Sequence, residues 1–151
     1  MASNRHLGRI IVLQSLFELE FRQDCGDKNI SIDEIISRNI DRYKDLVDDK
    51  KFIKDLANGI LKKADKLDKE LQPIAPEWPI DQIARVDRNV LRIGLYELLY
   101  EKDVPPKVVI NESVELAKSF GNTNSSKFIN GVLGTALTQK EQKVKDTKKS
   151  D

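Results

Sequence analysis

The sequence is short of the residues from which many functional sites are built. It has a single cysteine, Cys25, and a single histidine, His6, among 151 residues. One cysteine excludes an intrachain disulfide and fits a reducing compartment. The two residues together are too few for a zinc site of histidine and cysteine ligands. We therefore expect neither a structural disulfide nor a bound metal.

Long apolar runs and an excess of one charge are also missing. No stretch of about 18 apolar residues occurs, so we expect no membrane span. No long apolar segment follows the first residues, because Gln14, Glu18 and Glu20 interrupt the apolar residues. We therefore expect no signal peptide. The net charge is +1, from 26 basic and 25 acidic residues. A uniformly basic coat is therefore excluded, and any nucleic-acid site must be a local patch.

Signatures of catalysis are absent from the sequence. It contains no glycine-rich phosphate-binding loop of either usual spacing. His6 and Cys25 could form a base and nucleophile pair, but no third group is in view to orient them. The acidic residues are numerous, and their spacing is typical of solvated helix faces. We therefore expect a protein that acts by binding and is not an enzyme.

Helical periodicity dominates what is present. Residues 4–22 are apolar on most sides of a helix, which predicts cover by the protein's own core or by a partner. Ser31 and Glu34 form a capping box for a second helix, and a third is predicted from Asp49 to Leu71. Three prolines between Pro73 and Pro79 predict a break.

Four helical segments are predicted after the break. A short turn at 80–83 precedes helices at 86–100 and 107–120. Gly121 is predicted to end the latter as a left-handed cap. Asn124 or Ser125 then caps a last helix that reaches Leu137.

These segments predict an all-α fold of about seven helices in two packed helical bundles. We expect one domain over residues 1–138, with sub-bundles at about 4–72 and 80–138. The lysine-rich tail at 139–151 is predicted to be disordered.

The start of the first helix is basic, although a helix N-terminus favours acidic side chains. Arg5, His6 and Arg9 lie in its first turns. An anionic ligand is one explanation, because free N–H groups and arginines together suit a phosphate. A frayed, exposed end, where the electrostatic cost is negligible, is the other.

The start of the last helix offers a second candidate site. Asn124, Lys127 and Phe128 combine an amide, a cation and an aromatic ring. Single-stranded RNA binding needs phosphate contacts together with rings on which bases stack. The alternative is that Phe128 packs in the core, in phase with Val132.

Three blocks of sequence resemble the NusB family. Val86–Tyr100 resembles the family's central helix, Asp103–Lys118 its next helix, and Lys127–Leu133 its last. They occur in the family's order and spacing. The resemblance covers most of residues 5–137, although residues 26–79 match in helical layout alone.

The resemblance implies a bacterial, cytoplasmic transcription antitermination factor without a cofactor. Such a protein binds the boxA RNA of nascent ribosomal RNA transcripts. It does so as a heterodimer with a small-subunit ribosomal protein, NusE. The pair joins other Nus factors on RNA polymerase, and the free protein could form a homodimer.

The resemblance also implies site residues. For the surface that binds the ribosomal protein in this family, it implies Asp87. Asp81 is a less close match to the family's acidic residue there. Leu7 and His6 stand where some members have more arginines, and Phe17 matches an aromatic position but lacks a tyrosine hydroxyl. The implied RNA-binding residues are Arg5, His6, Arg9, Phe17, Asn124, Lys127 and Phe128.

Three other functions remain open from the sequence. The chain could be a detached module of the NusB-like kind that precedes the catalytic domain of RNA-cytosine methyltransferases. It could be a protein adaptor or homodimer that uses its apolar first helix as an interface and does not contact RNA. It could also be a DNA-binding repressor, although a basic recognition helix in a tight helix-turn-helix is not evident.

Overall fold

The computed structural model describes residues 2–75, 79 and 82–149. That part of the chain contains no strand, so the predicted all-α fold is confirmed. Its contacts divide the chain into two compact units, Met1–Ala64 and Asp65–Asp151. The helices are α1 (Ala2–Asp24), α2 (Ile32–Arg42), α3 (Lys50–Lys62), α4 (Ala64–Ile74), α5 (Arg85–Tyr100), α6 (Pro106–Phe120) and α7 (Ser125–Lys149).

In the first unit, α1 packs against both α2 and α3. Ile11, Val12 and Leu16 of α1 are fully buried. A polar pair joins α1 to α2 within the core, where Asn39 Nδ2 donates to Ser15 Oγ at 3.0 Å. The apolar first helix is therefore covered largely by its own unit.

Side-chain caps set the starts of α2 and α3. Ser31 Oγ accepts a hydrogen bond from the backbone N–H of Glu34 at 3.2 Å, as the predicted capping box requires. Asp49 Oδ1 accepts from the backbone N–H of Phe52 at 3.0 Å. Each cap satisfies one of the free donors at a helix start.

The single helix predicted from Asp49 to Leu71 is wrong. The chain leaves helical geometry at Lys63, which caps α3 with φ −104° and ψ 9°. The next helix, α4, continues through Pro73 and ends at Ile74. Neither glycine nor proline stands at Lys63, and the apolar periodicity runs through it, so the sequence carries no signal for this break.

Side-chain pairs explain why α4 belongs to the second unit. Arg92 of α5 donates from Nε and Nη2 to the two carboxylate oxygens of Asp68, at 2.8 and 2.7 Å. The ammonium of Lys66 lies 5.8 Å from the ring centre of Tyr100. The unit boundary falls at the start of α4, between Ala64 and Asp65, earlier than the proline-rich break at 73–79.

The helices α5, α6 and α7 pack against one another and form the core of the second unit. Gly94 of α5 permits a close approach of α6 and α7. A Cβ there would lie 2.6 Å from Leu133 Cδ1 and 2.7 Å from Ser113 Oγ. This core fixes the start of α7 relative to the start of α5.

Gly121 ends α6 as predicted, but the expected left-handed conformation is wrong. Its φ is −93° and its ψ is −168°, which is extended backbone. A Cβ at Gly121 would lie 2.5 Å from Ser125 Oγ and 2.8 Å from the carbonyl oxygen of Ala117. Glycine is needed here because the α6–α7 corner is tight.

Helix α7 continues beyond residue 139, where the sequence predicts a disordered tail. The ammonium of Lys140 donates to the carbonyl oxygen of Leu98, at the end of α5. Gln142 Nε2 donates to Asp146 Oδ1 at 3.2 Å, one turn later. A cation at a helix C-terminus is favourable, so α5 anchors the extension of α7.

Candidate functional site

The basic side chains at the start of α1 lie over an aromatic ring of α3. The guanidinium carbon of Arg5 is 4.7 Å from the ring centre of Phe52, and that of Arg9 is 5.5 Å from it. Arg5 is exposed and His6 is half-buried, whereas Arg9 is only 3% exposed. The cation–π contact therefore holds an exposed cation, Arg5, in a defined place.

An aromatic pair lies farther along α1. The rings of Phe17 and Phe21 are nearly parallel, at 8°, with centres 6.5 Å apart. Phe17 is 37% exposed and Phe21 is 52% exposed. Side chains four residues apart share a helix face, so the two rings form a small exposed aromatic surface.

The acid beside Phe17 is neutralised by two arginines. Glu18 accepts a hydrogen bond from Arg22 at 3.0 Å and another from Arg38 of α2. Burial by itself raises the pKa of the Glu18 carboxyl, but the bonds to Arg38 and Arg22 outweigh it and lower the pKa. The carboxylate is therefore a weak source of repulsion for an anion near Phe17.

Side-chain hydrogen bonds organise the start of α7. Asn122 Oδ1 accepts from the backbone N–H of Asn124 at 2.9 Å. The buried hydroxyl of Ser125 accepts from the N–H of Asn122, also at 2.9 Å. These bonds leave Asn124 and Lys127 exposed and Phe128 half-buried.

A cavity of about 300 Å³ lies beside this corner. It is lined by Asn124 and Phe128 of the predicted RNA side and by Asp87 of the predicted protein side. Asp87 is 8% exposed, and its Oδ1 has no hydrogen-bond partner among the described residues. The structure thus places residues of the two predicted sites around one cavity.

The remaining site predictions are placed as follows. Ile80 and Asp81 of the predicted turn lie outside the described residues. So do Pro76 and Trp78 of the predicted break. Within the described part of the chain, no group of three or more histidine, cysteine, aspartate or glutamate residues could hold a metal ion. No helix there is long and apolar enough to cross a membrane.

Comparison with known proteins identifies the family. The family model described as the NusB family matches residues 6–138. The chain belongs to the NusB family. Relatives that are 33–42% identical over most of the chain are transcription antitermination proteins, and the chain is a transcription antitermination factor.

One such NusB relative, a transcription antitermination protein of Dehalococcoides mccartyi, is 42% identical over 135 residues. The match covers 89% of this chain and 90% of the relative. A solved NusB structure from T. maritima is 34% identical, with a TM-score of 0.79, and covers 89% of this chain and 90% of that one.

A third likeness is to a crystal structure of the antitermination factors NusB and NusE with double-stranded RNA. It has 23% identity and a TM-score of 0.74, covering 92% of this chain and 99% of that one. At this identity the likeness concerns the NusB fold.

Several residues that shape the candidate sites are not predicted from the sequence. Phe52 belongs to the predicted third helix and has no predicted role in binding, yet its ring lies under the guanidinium of Arg5. Phe21 lies in the apolar segment 4–22, for which the sequence predicts cover, yet half of its surface is exposed. One signal in the sequence indicates the structured start of α7, namely Asn122 and Ser125. Asparagine and serine side chains readily form hydrogen bonds with nearby backbone.

Proposed function

We propose that the chain binds the boxA RNA of nascent ribosomal RNA transcripts as a heterodimer with NusE. With other Nus factors on RNA polymerase, the pair supports transcription of ribosomal RNA operons in the bacterial cytoplasm. The protein acts by binding, without catalysis. The family match over residues 6–138 carries the proposal. The similar crystal structure of NusB with NusE and double-stranded RNA agrees with it.

The phosphate contact is assigned to Arg5. Its guanidinium is exposed and held over Phe52, so it loses little side-chain freedom when it binds a phosphate oxygen. Arg9 lies against the same ring but is buried. In this arrangement Arg9 supports Phe52, and His6 contacts the RNA from the same turn of α1.

Base contacts are assigned to the aromatic residues. Phe17 offers an exposed ring about 12 Å along α1 from Arg9, at 1.5 Å per residue. Bases stack on such rings regardless of sequence. Phe128 offers a second ring at the start of α7, flanked by the exposed Lys127 and by the amide of Asn124.

The protein contact is assigned to Asp87. A buried carboxylate oxygen without a partner has lost its hydration without compensation, which is unfavourable. A donor of NusE, especially a cationic one, would supply the missing partner. A phosphate would instead be repelled, so this part of the cavity fits a protein group better than an RNA backbone.

These assignments predict that NusE strengthens RNA binding, because the chain alone has few exposed basic anchors. Fluorescence anisotropy with labelled boxA RNA and a scrambled RNA tests this, with and without NusE. We expect selective binding that is tighter with NusE. Arg5→Glu should weaken it about tenfold and reduce the log–log salt slope by about 0.7 per lost phosphate contact.

Lys102→Glu is the matched control, since it makes the same charge change at an exposed turn. It should change RNA affinity far less than Arg5→Glu does. Equal affinity for boxA and scrambled RNA in both conditions would favour the adaptor function and contradict the proposal. Equal RNA affinity with and without NusE would contradict the coupling between the two partners.

A further inference from the structure

The second unit has a groove that the RNA and NusE assignments do not use. It encloses about 600 Å³ between α4, α5 and α7. Its aliphatic lining includes Pro73 and Ile74 of α4 and Leu95 and Leu99 of α5. The open side is bordered by α7.

The extension of α7 presents one consistent face to this groove. Ala136, Lys140, Lys143, Val144 and Thr147 line it, and their spacing of three or four residues follows one side of a helix. Val144 is the only apolar residue from 138 to 151, and it is 47% exposed. The family model ends at residue 138, so most of this wall lies outside the matched region.

The rim of the groove is strongly basic. Its charged lining residues are four lysines, Lys69, Lys140, Lys143 and Lys148, and one acid, Glu70. The entire chain carries a net charge of only +1, so this is a local concentration of positive charge. An aliphatic floor with a basic rim complements a ligand that is apolar on one side and acidic on the other.

We propose that this groove, which we call the α7 groove, binds an acidic amphipathic helix of a partner protein. Helix-in-groove recognition places apolar side chains at intervals of three and four residues into such a floor. Acidic residues flanking them would meet the lysines. RNA fits less well, because no aromatic ring is among the described lining residues and the floor offers aliphatic carbon to the bases.

The probe is a fluorescein-labelled synthetic helix with leucine on one face and glutamate elsewhere. A peptide of the same composition, with its leucines spread around the helix, is the control. We expect the 151-residue chain to bind the first peptide and not the second. Lys143→Glu should weaken binding about fivefold, and Val144→Asp about tenfold.

Matched variants separate the α7 groove from general electrostatics. Lys145→Glu makes the same charge change on α7 outside the groove, and Val108→Asp makes the same change at an exposed position of α6. Both should bind the peptide like the original chain. Circular dichroism confirms that each variant stays folded, which is expected because all four positions are exposed.

Four results with the peptides would overturn the proposal. The first peptide could fail to bind, both peptides could bind equally, Lys145→Glu could match the loss in Lys143→Glu, or Val144→Asp could have no effect. The same variants are also measured with boxA RNA, which tests whether RNA binds in the groove instead of a helix. If Lys143→Glu lowers RNA affinity more than Lys145→Glu while peptide binding is unchanged, the groove is an RNA surface. Failure of peptide binding with intact boxA binding leaves the proposed function standing.

Discussion

Replacing Asp87 with asparagine is expected to weaken binding of NusE by at least about thirtyfold. The substitution keeps the shape of the side chain and removes the charge that we assign to a donor of NusE. Stability should change by less than about 1 kcal/mol, because the favourable charge at the start of α5 and the cost of burying it oppose each other. Titration calorimetry with NusE and urea unfolding of the free chain measure the two effects.

The combination of the two measurements identifies the role of Asp87. A structural residue would lower stability when it is changed and would affect NusE through misfolding. A partner-binding residue lowers the affinity for NusE in a chain that unfolds normally. Asp103→Asn is the control, because Asp103 is exposed in the turn between α5 and α6. Unchanged NusE affinity in Asp87→Asn would remove Asp87 from the interface.

Gly121→Ala is expected to lower the free energy of unfolding by about 1–3 kcal/mol, the usual cost of overpacking. The added Cβ would lie 2.8 Å from the carbonyl oxygen of Ala117 and 2.6 Å from Ser125 Cβ. The backbone of the corner must therefore shift, and the bond from Asn122 N to Ser125 Oγ shifts with it. RNA affinity should fall as well, because this corner positions Asn124 and Lys127.

Gly131→Ala is the matched control for that substitution. Gly131 lies within α7, and nothing lies within 4 Å of a Cβ placed there. Alanine favours a helix interior over glycine, so this variant should be more stable by about 0.5–1 kcal/mol. Urea unfolding of both variants tests the pair. Equal stabilities would contradict the close approach at Gly121.

Much of the fold could be predicted from local signals in the sequence. The capping box at Ser31 placed the start of α2, and the apolar periodicity placed α5 and α6 closely. Lys63 could not be predicted as a helix end, because no glycine or proline marks the break. The helix that follows it, α4, pairs with α5 through Asp68 and Arg92. Pairing between distant residues leaves no local pattern.

The candidate site, like the fold, could be predicted only in part from the sequence. The family resemblance pointed to Arg5, Arg9 and Asp87 by position, and these assignments stay predictions until they are tested by binding. Burial could not be predicted for them. Arg5 and Arg9 are four residues apart on one face of α1, yet one is exposed and the other is 3% exposed. Both guanidinium groups lie over Phe52 of α3, so contact with this ring does not set the difference in burial. Helical periodicity does not report it either.

The most direct test of the central claim is transcription itself. RNA polymerase, NusE and the other Nus factors would transcribe a template that carries boxA before a terminator, with and without this chain. A second template with a scrambled boxA is the control. The account predicts that the chain increases readthrough on the boxA template alone. No increase on either template, or an equal increase on both, would contradict it.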